Sequence, residues 1–155
     1  MIQSSKSVVD ILKDLIRIRS CDNDEAAMVA YLERRLAEKG VSCTVMCKDG
    51  RPLNLVAQVG EGERSLMFNA HTDTVALGDP ANWETDPLDP VERDGRIYGR
   101  GACDDKGSLA AMLAAFEAKL ADTEWQSRGK LILAAVGGEE RGGVGTQLLL
   151  EKGIR

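Results

Sequence analysis

The amino-terminal part of the chain contains two stretches whose apolar residues recur at helical spacing. In the first stretch the apolar positions follow the i, i+3, i+4, i+7, i+8 pattern and are Val8, Ile11, Leu12, Leu15 and Ile16. Ser7 and Asp10 stand three residues apart at its start, which is the spacing of a capping box. A second helix is predicted over about residues 25–39, with Asp22 or Asp24 as its N-cap and a glycine directly after its end.

Three short runs of β-forming residues follow, over residues 42–47, 53–59 and 65–70, and turn-forming residues separate them. Residues 81–101 are rich in proline, aspartate and glycine, and they predict a long loop that ends in a short strand around residues 96–98. Because long ordered loops in compact domains tend to be functional, we expect this loop to have a functional role.

The last third of the chain alternates helical and strand patterns. From Lys106 onward the sequence is rich in helix-forming residues and apolar on nearly every side, which predicts a helix buried in a layered fold. Residues 130–136 predict a buried strand, and residues 144–152 predict a further helix that Gly153 ends. Helices that alternate with buried strands predict an α/β fold in which helices cover both faces of a sheet.

Composition and charge restrict the classes of partner. The chain has 155 residues, of which 43% are hydrophobic and 29% are charged, as in a single globular domain. The formal net charge of −5 argues against binding to nucleic acid or to an anionic membrane, because such proteins normally carry a basic face. No apolar run approaches the roughly 20 residues that cross a bilayer, and the start has no apolar export segment. The four cysteines form no C-x-x-C pair, so we expect reduced thiols and a cytoplasmic protein.

The first polar cluster directly follows the predicted strand 65–70. It contains His71, the single histidine of the chain, and Asp73 two residues later. A histidine at a strand end can make ordinary hydrogen bonds and nothing more. A nearby carboxylate favours a metal site, because a metal-bound imidazole usually donates its other N–H to a group that fixes its tautomer.

Two further clusters also adjoin apolar elements. Asp104 and Asp105 precede the buried helix, where one carboxylate could simply cap the helix but two exceed that need. Glu139 and Glu140 follow the predicted strand 130–136, where paired carboxylates are costly unless a cation is present, although solvated glutamate pairs are common. The glycines around them do not form a phosphate-binding P-loop, because the Lys-Ser/Thr pair is absent and the local charge is negative.

Together the clusters supply one imidazole and several carboxylates. Ligands of open α/β sheets bind beyond the carboxyl ends of the strands, which is where two of these clusters lie. A mixed nitrogen and oxygen donor set suits Zn²⁺, Mn²⁺ or Co²⁺.

Three motifs occur in a specific order along the chain, namely His71-Thr72-Asp73, Gly101-Ala102-Cys103-Asp104-Asp105-Lys106-Gly107 and Glu139-Glu140. In that order they resemble the family of acetylornithine deacetylase, succinyl-diaminopimelate desuccinylase and glutamate carboxypeptidase, which are dizinc amidohydrolases. The resemblance implies a mostly parallel mixed sheet sandwiched between helices, as in the zinc-exopeptidase catalytic domain. It also implies that the protein hydrolyses an amide of a small N-acyl amino acid or dipeptide.

The resemblance further implies individual roles. His71 would bind one Zn²⁺, Asp104 would bridge two, and Glu140 would bind the other. Glu139 would be the general base, and Asp73 would orient His71. Asp105 falls where family members vary, so it is left out of the expected site.

The resemblance also implies what lies outside this sequence. Family members have a further carboxylate ligand beyond the position of Arg155 and a second histidine much later. We therefore expect residues 1–155 to be the N-terminal part of the catalytic domain, without the dimerisation domain and the C-terminal catalytic segment. We expect these residues alone to be inactive, and the full-length protein to be a homodimer.

Two functions of other classes remain open at this point. The chain could be a non-catalytic metal-binding or interaction module that acts through association with another chain. It could also be a flavodoxin-like nucleotide binder, although acidic residues at the strand ends disfavour that interpretation.

Overall fold

The computed structural model describes residues 7–154, and the predicted helices and strands occur along them in the predicted order. The elements in chain order are α1 (Val8–Arg17), α2 (Ala26–Ala37), β1 (Cys43–Lys48), β2 (Arg51–Val59), β3 (Ser65–His71), a 3-10 helix (Pro80–Asn82), β4 (Val91–Arg93), β5 (Arg96–Tyr98), α3 (Lys106–Lys119), α4 (Thr123–Gln126), β6 (Lys130–Val136) and α5 (Val144–Glu151). The long loop is thus more ordered than predicted, because it contains the 3-10 helix and a β4–β5 hairpin. The short helix α4 was not predicted.

Four strands form a mixed sheet in the order β1-β2-β6-β3. Strands β3 and β6 are parallel, whereas β1–β2 and β2–β6 are antiparallel. The predicted mixed α/β fold is confirmed, but one of the three pairings in this four-stranded sheet is parallel, fewer than "mostly parallel" implies. Strands β1 and β2 are antiparallel because only two residues, Asp49 and Gly50, connect them. Both residues adopt positive φ and form a two-residue hairpin turn.

The sheet separates two apolar clusters, and side chains alternate between them along each central strand. Leu131 and Leu133 of β6 belong to the larger cluster, which packs against α1, α2 and α3. Ile132 and Ala134 belong to the smaller cluster, which contains Leu149 of α5. Both faces of β6 are therefore covered, which explains why its sequence is apolar at every position from Leu131 to Val136 instead of alternating.

The N-termini of α1 and α2 differ in how they are capped. At α1 the predicted capping box is confirmed, because the Asp10 N–H donates to Ser7 Oγ and the Ser7 N–H donates to Asp10 Oδ2. At α2 the prediction of Asp22 or Asp24 is wrong, because the N-cap is Glu25 and makes no capping hydrogen bond. Asp22 Oδ2 instead accepts from Arg19, and the buried Glu25 carboxylate accepts from Arg141.

All four cysteines are free thiols. Within residues 7–154 there is no helix of the length and apolar character needed to cross a membrane.

A largely buried ion pair joins α2 to α3, and the effect of its removal on stability should be measurable. Arg35 donates two hydrogen bonds to Glu117, at 2.6 and 2.9 Å. We expect Arg35→Met to lower the free energy of unfolding by about 1–3 kcal/mol, less than the ~3–5 kcal/mol typical of breaking a buried pair. The loss is reduced because Lys39 Nζ lies 3.5 Å from Glu117 Oε2.

Urea denaturation checks this value. Because the double variant Arg35→Met, Glu117→Leu leaves no uncompensated carboxylate, it should recover part of the lost stability. A double variant less stable than Arg35→Met would contradict the interpretation.

Candidate metal centre

The parallel pair β3–β6 brings two of the predicted clusters to one edge of the sheet. His71 is the last residue of β3 and pairs in register with Val136, the last residue of β6. The loop after β6 carries Glu139 and Glu140. Because carboxyl ends of parallel strands meet at the same edge, both clusters lie side by side, as ligand sites of α/β sheets commonly do.

The His71 imidazole is buried and both of its nitrogens have partners. Its Nδ1 lies 2.9 Å from the backbone oxygen of Asp73, and its Nε2 lies 2.8 Å from Asp104 Oδ1. Both partners only accept hydrogen bonds, so both ring nitrogens carry protons when no cation replaces one of them. The carboxylates of Asp73 and Asp104 raise the pKa of His71 to about 10, against the opposing effect of burial.

The Asp73 residue contacts His71 through its backbone and its side chain. The resemblance implies that Asp73 orients His71, and His71 Nδ1 lies 2.9 Å from its backbone oxygen and 3.7 Å from its Oδ1. Both carboxylate oxygens also accept backbone N–H groups, Oδ1 from Glu139 at 3.1 Å and Oδ2 from Glu140 at 3.2 Å. Although burial opposes ionisation, His71 and these N–H groups hold the pKa of Asp73 below its usual value.

His71, Glu139 and Glu140 form a group that could hold a cation. Each offers one ligand atom, and the three atoms lie within 4.8 Å of one another. His71 is buried and both glutamates are exposed, so the group is open on one side to solvent. One imidazole nitrogen and two carboxylate oxygens are a donor set that Zn²⁺, Co²⁺ or Mn²⁺ accepts, and the residues therefore fit a divalent metal.

Asp104 and Asp105 contact the same histidine from the N-terminal end of α3, and the peptide bond between them is cis. Asp104 Oδ1 contacts the ring, and Asp105 Oδ2 accepts the backbone N–H of His71 at 3.2 Å. Asp105 is not among the expected site residues, because the family varies there. The doubled aspartate was the only signal in the sequence that could have indicated its contact with His71.

Lys106 is completely buried beside the centre. Lysine side chains are almost never fully buried, so the residue type did not indicate this position. Its Nζ donates to the backbone oxygen of Ile18 at 2.7 Å, and burial lowers its pKa to about 8. This bond joins the start of α3 to the end of α1. Space is tight around it, since a Cβ on Gly101 would lie 3.0 Å from Lys106 Cδ.

A cavity of about 570 Å³ opens next to the centre. Its lining includes Asp104 and Glu140 and, from the long loop, Trp83, Tyr98 and Arg100. The Arg100 guanidinium lies 4.9 Å from the centroid of the Trp83 ring, a cation–π arrangement. The long loop therefore forms one wall of the cavity beside the candidate centre.

The structure brings all five predicted site residues together. His71 contacts Asp73 and Asp104 directly. One of its ring nitrogens lies within 4.8 Å of a carboxylate oxygen of Glu139 and of Glu140. The roles that the resemblance implies for them remain predictions.

Comparisons with known proteins identify relatives of this chain. Residues 67–155 match the profile of peptidase family M20/M25/M40. The succinyl-diaminopimelate desuccinylase 2 of Ruegeria sp. (strain TM1040) is 37% identical over 142 residues, which are 90% of this chain and 35% of that protein. A probable succinyl-diaminopimelate desuccinylase of Staphylococcus epidermidis is 31% identical over 150 residues, 97% of this chain and 37% of that protein. The chain thus spans about a third of the length of the curated relatives it matches.

Solved structures have the same fold. An M20 family metallo-carboxypeptidase from Sulfolobus solfataricus superposes with a TM-score of 0.79 at 24% identity, over 95% of this chain and 34% of that one. Human carnosine dipeptidase 1 superposes with a TM-score of 0.75 at 25% identity, over 94% of this chain and 34% of that one. The predicted family is confirmed, and the chain belongs to peptidase family M20/M25/M40.

Proposed function

We propose that the whole protein is a metal-dependent hydrolase that cleaves an amide bond of a small N-acyl amino acid or dipeptide. The observation that carries the proposal is the group of His71, Glu139 and Glu140, whose ligand atoms lie within 4.8 Å of one another. The relatives named as desuccinylases and the metallo-carboxypeptidase of the same fold support this reaction class.

We propose Zn²⁺ as the metal, two ions in a complete site, with Co²⁺ or Mn²⁺ as alternatives of the same chemistry. His71 would hold one ion, Glu140 the other, and Asp104 both. When bound, the metal supplies a Lewis acid that polarises the substrate carbonyl and lowers the pKa of water. The contact of Asp104 with His71 Nε2 is consistent with this assignment, because a cation would take the place of the proton between them.

Glu139 is the proposed general base. Its carboxylate is exposed and has an oxygen within 4.8 Å of ligand atoms of His71 and Glu140, where it can take a proton from the attacking water and deliver it to the leaving amine. Asp73 positions Glu139 because it accepts the backbone N–H of that residue. It does the same for Glu140, so one buried carboxylate fixes both glutamates relative to His71.

Residues 1–155 are, in this proposal, the N-terminal part of the catalytic domain of a homodimeric protein. Their span of 35% of the desuccinylase 2 sequence supports this view. The free thiols agree with a reducing compartment, which supports a cytoplasmic location. Residues 1–155 alone should turn over N-acyl amino acids far below the usual enzyme range of about 1–10³ s⁻¹. Turnover within that range would contradict the assignment of these residues as an incomplete catalytic domain.

Metal removal tests the function directly. We expect the full-length protein to hydrolyse N-succinyl-diaminopimelate or an N-acetyl amino acid, to lose activity when a chelator removes its metal, and to regain it with Zn²⁺. The variant His71→Ala should bind less zinc by elemental analysis and stay inactive after zinc is restored. Activity that persists in fully metal-free protein would overturn the proposal, and zinc binding without any hydrolysis would favour the non-catalytic module.

A further inference from the structure

The loop that carries Glu139 and Glu140 is closed at a narrow neck. The loop begins at Gly137 and ends at Gly145, in the first turn of α5. The Gly145 N–H donates to the Gly137 backbone oxygen at 2.9 Å, which ties the two ends together. A Cβ on Gly145 would overlap that oxygen, so the neck admits no larger residue there.

Asn54 of β2 completes this neck from the neighbouring strand. Its Oδ1 accepts the Gly137 N–H at 3.1 Å, and its Nδ2 donates to the Gly145 backbone oxygen at 2.8 Å. One side-chain amide thus bonds to both ends of the loop, 83 and 91 residues away in sequence.

The burial of Asn54 requires an explanation beyond packing. The residue is 0% exposed and lies between Leu53 and Leu55, which are both buried. Burial of an amide is unfavourable unless its hydrogen bonds are made, and an apolar side chain would suit a central strand better. Both of its hydrogen bonds to backbone groups go to the ends of one loop, and its one further contact is a weak one, from Nδ2 to Met46 Sδ of β1 at 3.9 Å.

A second contact fixes the outer part of the same loop. The Arg141 guanidinium donates to the buried Glu25 carboxylate at the start of α2. With Asp73 bound to Glu139 and Glu140, the loop is held at its neck, its centre and its outer part. The backbone that carries the two glutamates is therefore fixed from three separate elements.

We propose that Asn54 is a positioning residue of the metal centre: its amide fixes the neck of the loop and so sets the distance of Glu139 and Glu140 from His71. This inference rests on the proposed function, because it assumes that those glutamates act on a metal. Residues that orient ligands without touching the metal typically account for about 10–100-fold in metal affinity.

Two variants of Asn54 and one control separate positioning from general stability. Asn54→Leu has a similar size and removes both hydrogen bonds. Asn54→Asp keeps an acceptor for the Gly137 N–H and, when ionised, cannot donate to Gly145. Leu36→Ala in α2 removes buried apolar contacts in the larger cluster and leaves the neck intact.

Two measurements on the purified protein decide the matter. Amide hydrogen exchange of the metal-free protein should accelerate selectively over residues 137–145 in Asn54→Leu and less in Asn54→Asp. Competition with a chromophoric chelator should give a zinc dissociation constant about 10–100-fold higher for Asn54→Leu. It should be intermediate for Asn54→Asp and unchanged for Leu36→Ala.

Unchanged exchange over residues 137–145 in both Asn54 variants would overturn the inference. An equal rise of the zinc dissociation constant in Leu36→Ala would also overturn it, because the effect would then be general destabilisation. If Asn54→Leu fails to fold, Asn54→Asp carries the same comparison. If the unaltered protein binds no zinc, the proposed function fails, whereas the exchange data still show whether Asn54 holds the loop.

Discussion

Alanine in place of Glu139 is expected to lower kcat by about 10²–10⁴ while the full-length protein keeps its zinc. The reason is that a general base transfers a proton and supplies no essential bond to the metal. Alanine in place of Glu140 is expected to lower zinc content and activity together, because a ligand is lost. The two residues are neighbours in one loop, and their effects should nevertheless differ in kind.

Elemental analysis and steady-state kinetics on the same preparations check this prediction. Glu63→Ala is a suitable control, since Glu63 is an exposed glutamate in the turn before β3, at the opposite end of that strand from His71. It should keep both zinc and activity. If Glu139→Ala lost its zinc while Glu140→Ala retained it, the two roles would be reversed. If both variants stayed active, the glutamates would be an ordinary solvated pair.

Replacing Asp73 with alanine is expected to damage the centre and the fold together. The variant leaves the N–H groups of Glu139 and Glu140 without their acceptor and removes a carboxylate 3.7 Å from His71 Nδ1. Leaving a buried donor unsatisfied costs about 1–3 kcal/mol, and because these two N–H groups are only partly buried, the free energy of unfolding should fall by roughly 2–4 kcal/mol. Zinc affinity should fall by about 10–100-fold or more, because both glutamates lose their anchor.

Chemical denaturation and zinc competition measure the two effects of Asp73→Ala. Asp122→Ala removes an aspartate that accepts a backbone N–H at the start of α4, far from the centre in sequence. It should lower the free energy of unfolding by about 0.5–2 kcal/mol, the usual effect of losing an N-cap, and leave zinc affinity unchanged. Normal zinc affinity in Asp73→Ala would show that the loop holds its position without this carboxylate.

Local interactions are the part of this fold that the sequence alone determines. The capping box of Ser7 and Asp10 spans three residues, and the Asp49-Gly50 turn links strands next to each other in sequence. The unbroken apolar run of β6 predicts burial on both faces, and both faces are covered. In each case the residues that decide the structure are close together along the chain, so pattern and propensity are sufficient.

The candidate site residues were predictable because their types are rare beside apolar elements. A single histidine at the end of a strand and paired carboxylates after another strand indicated metal chemistry, and the order of the motifs indicated the family. The structure brings these residues together at the carboxyl ends of β3 and β6.

Only the tertiary structure decided how those residues are held. Asp73 accepts hydrogen bonds from loop residues that are 66 and 67 positions away in sequence, and Asn54 bonds to the ends of the same loop, 83 and 91 positions away. Lys106 bonds to Ile18, 88 positions away. Glu25, the N-cap of α2, likewise accepts a hydrogen bond from Arg141, 116 residues away. Whether a side chain bonds to a partner nearby in sequence or to a distant one depends on which groups the folded chain places beside it. Sequence spacing carries no information about such contacts, and they are the ones that position Glu139 and Glu140.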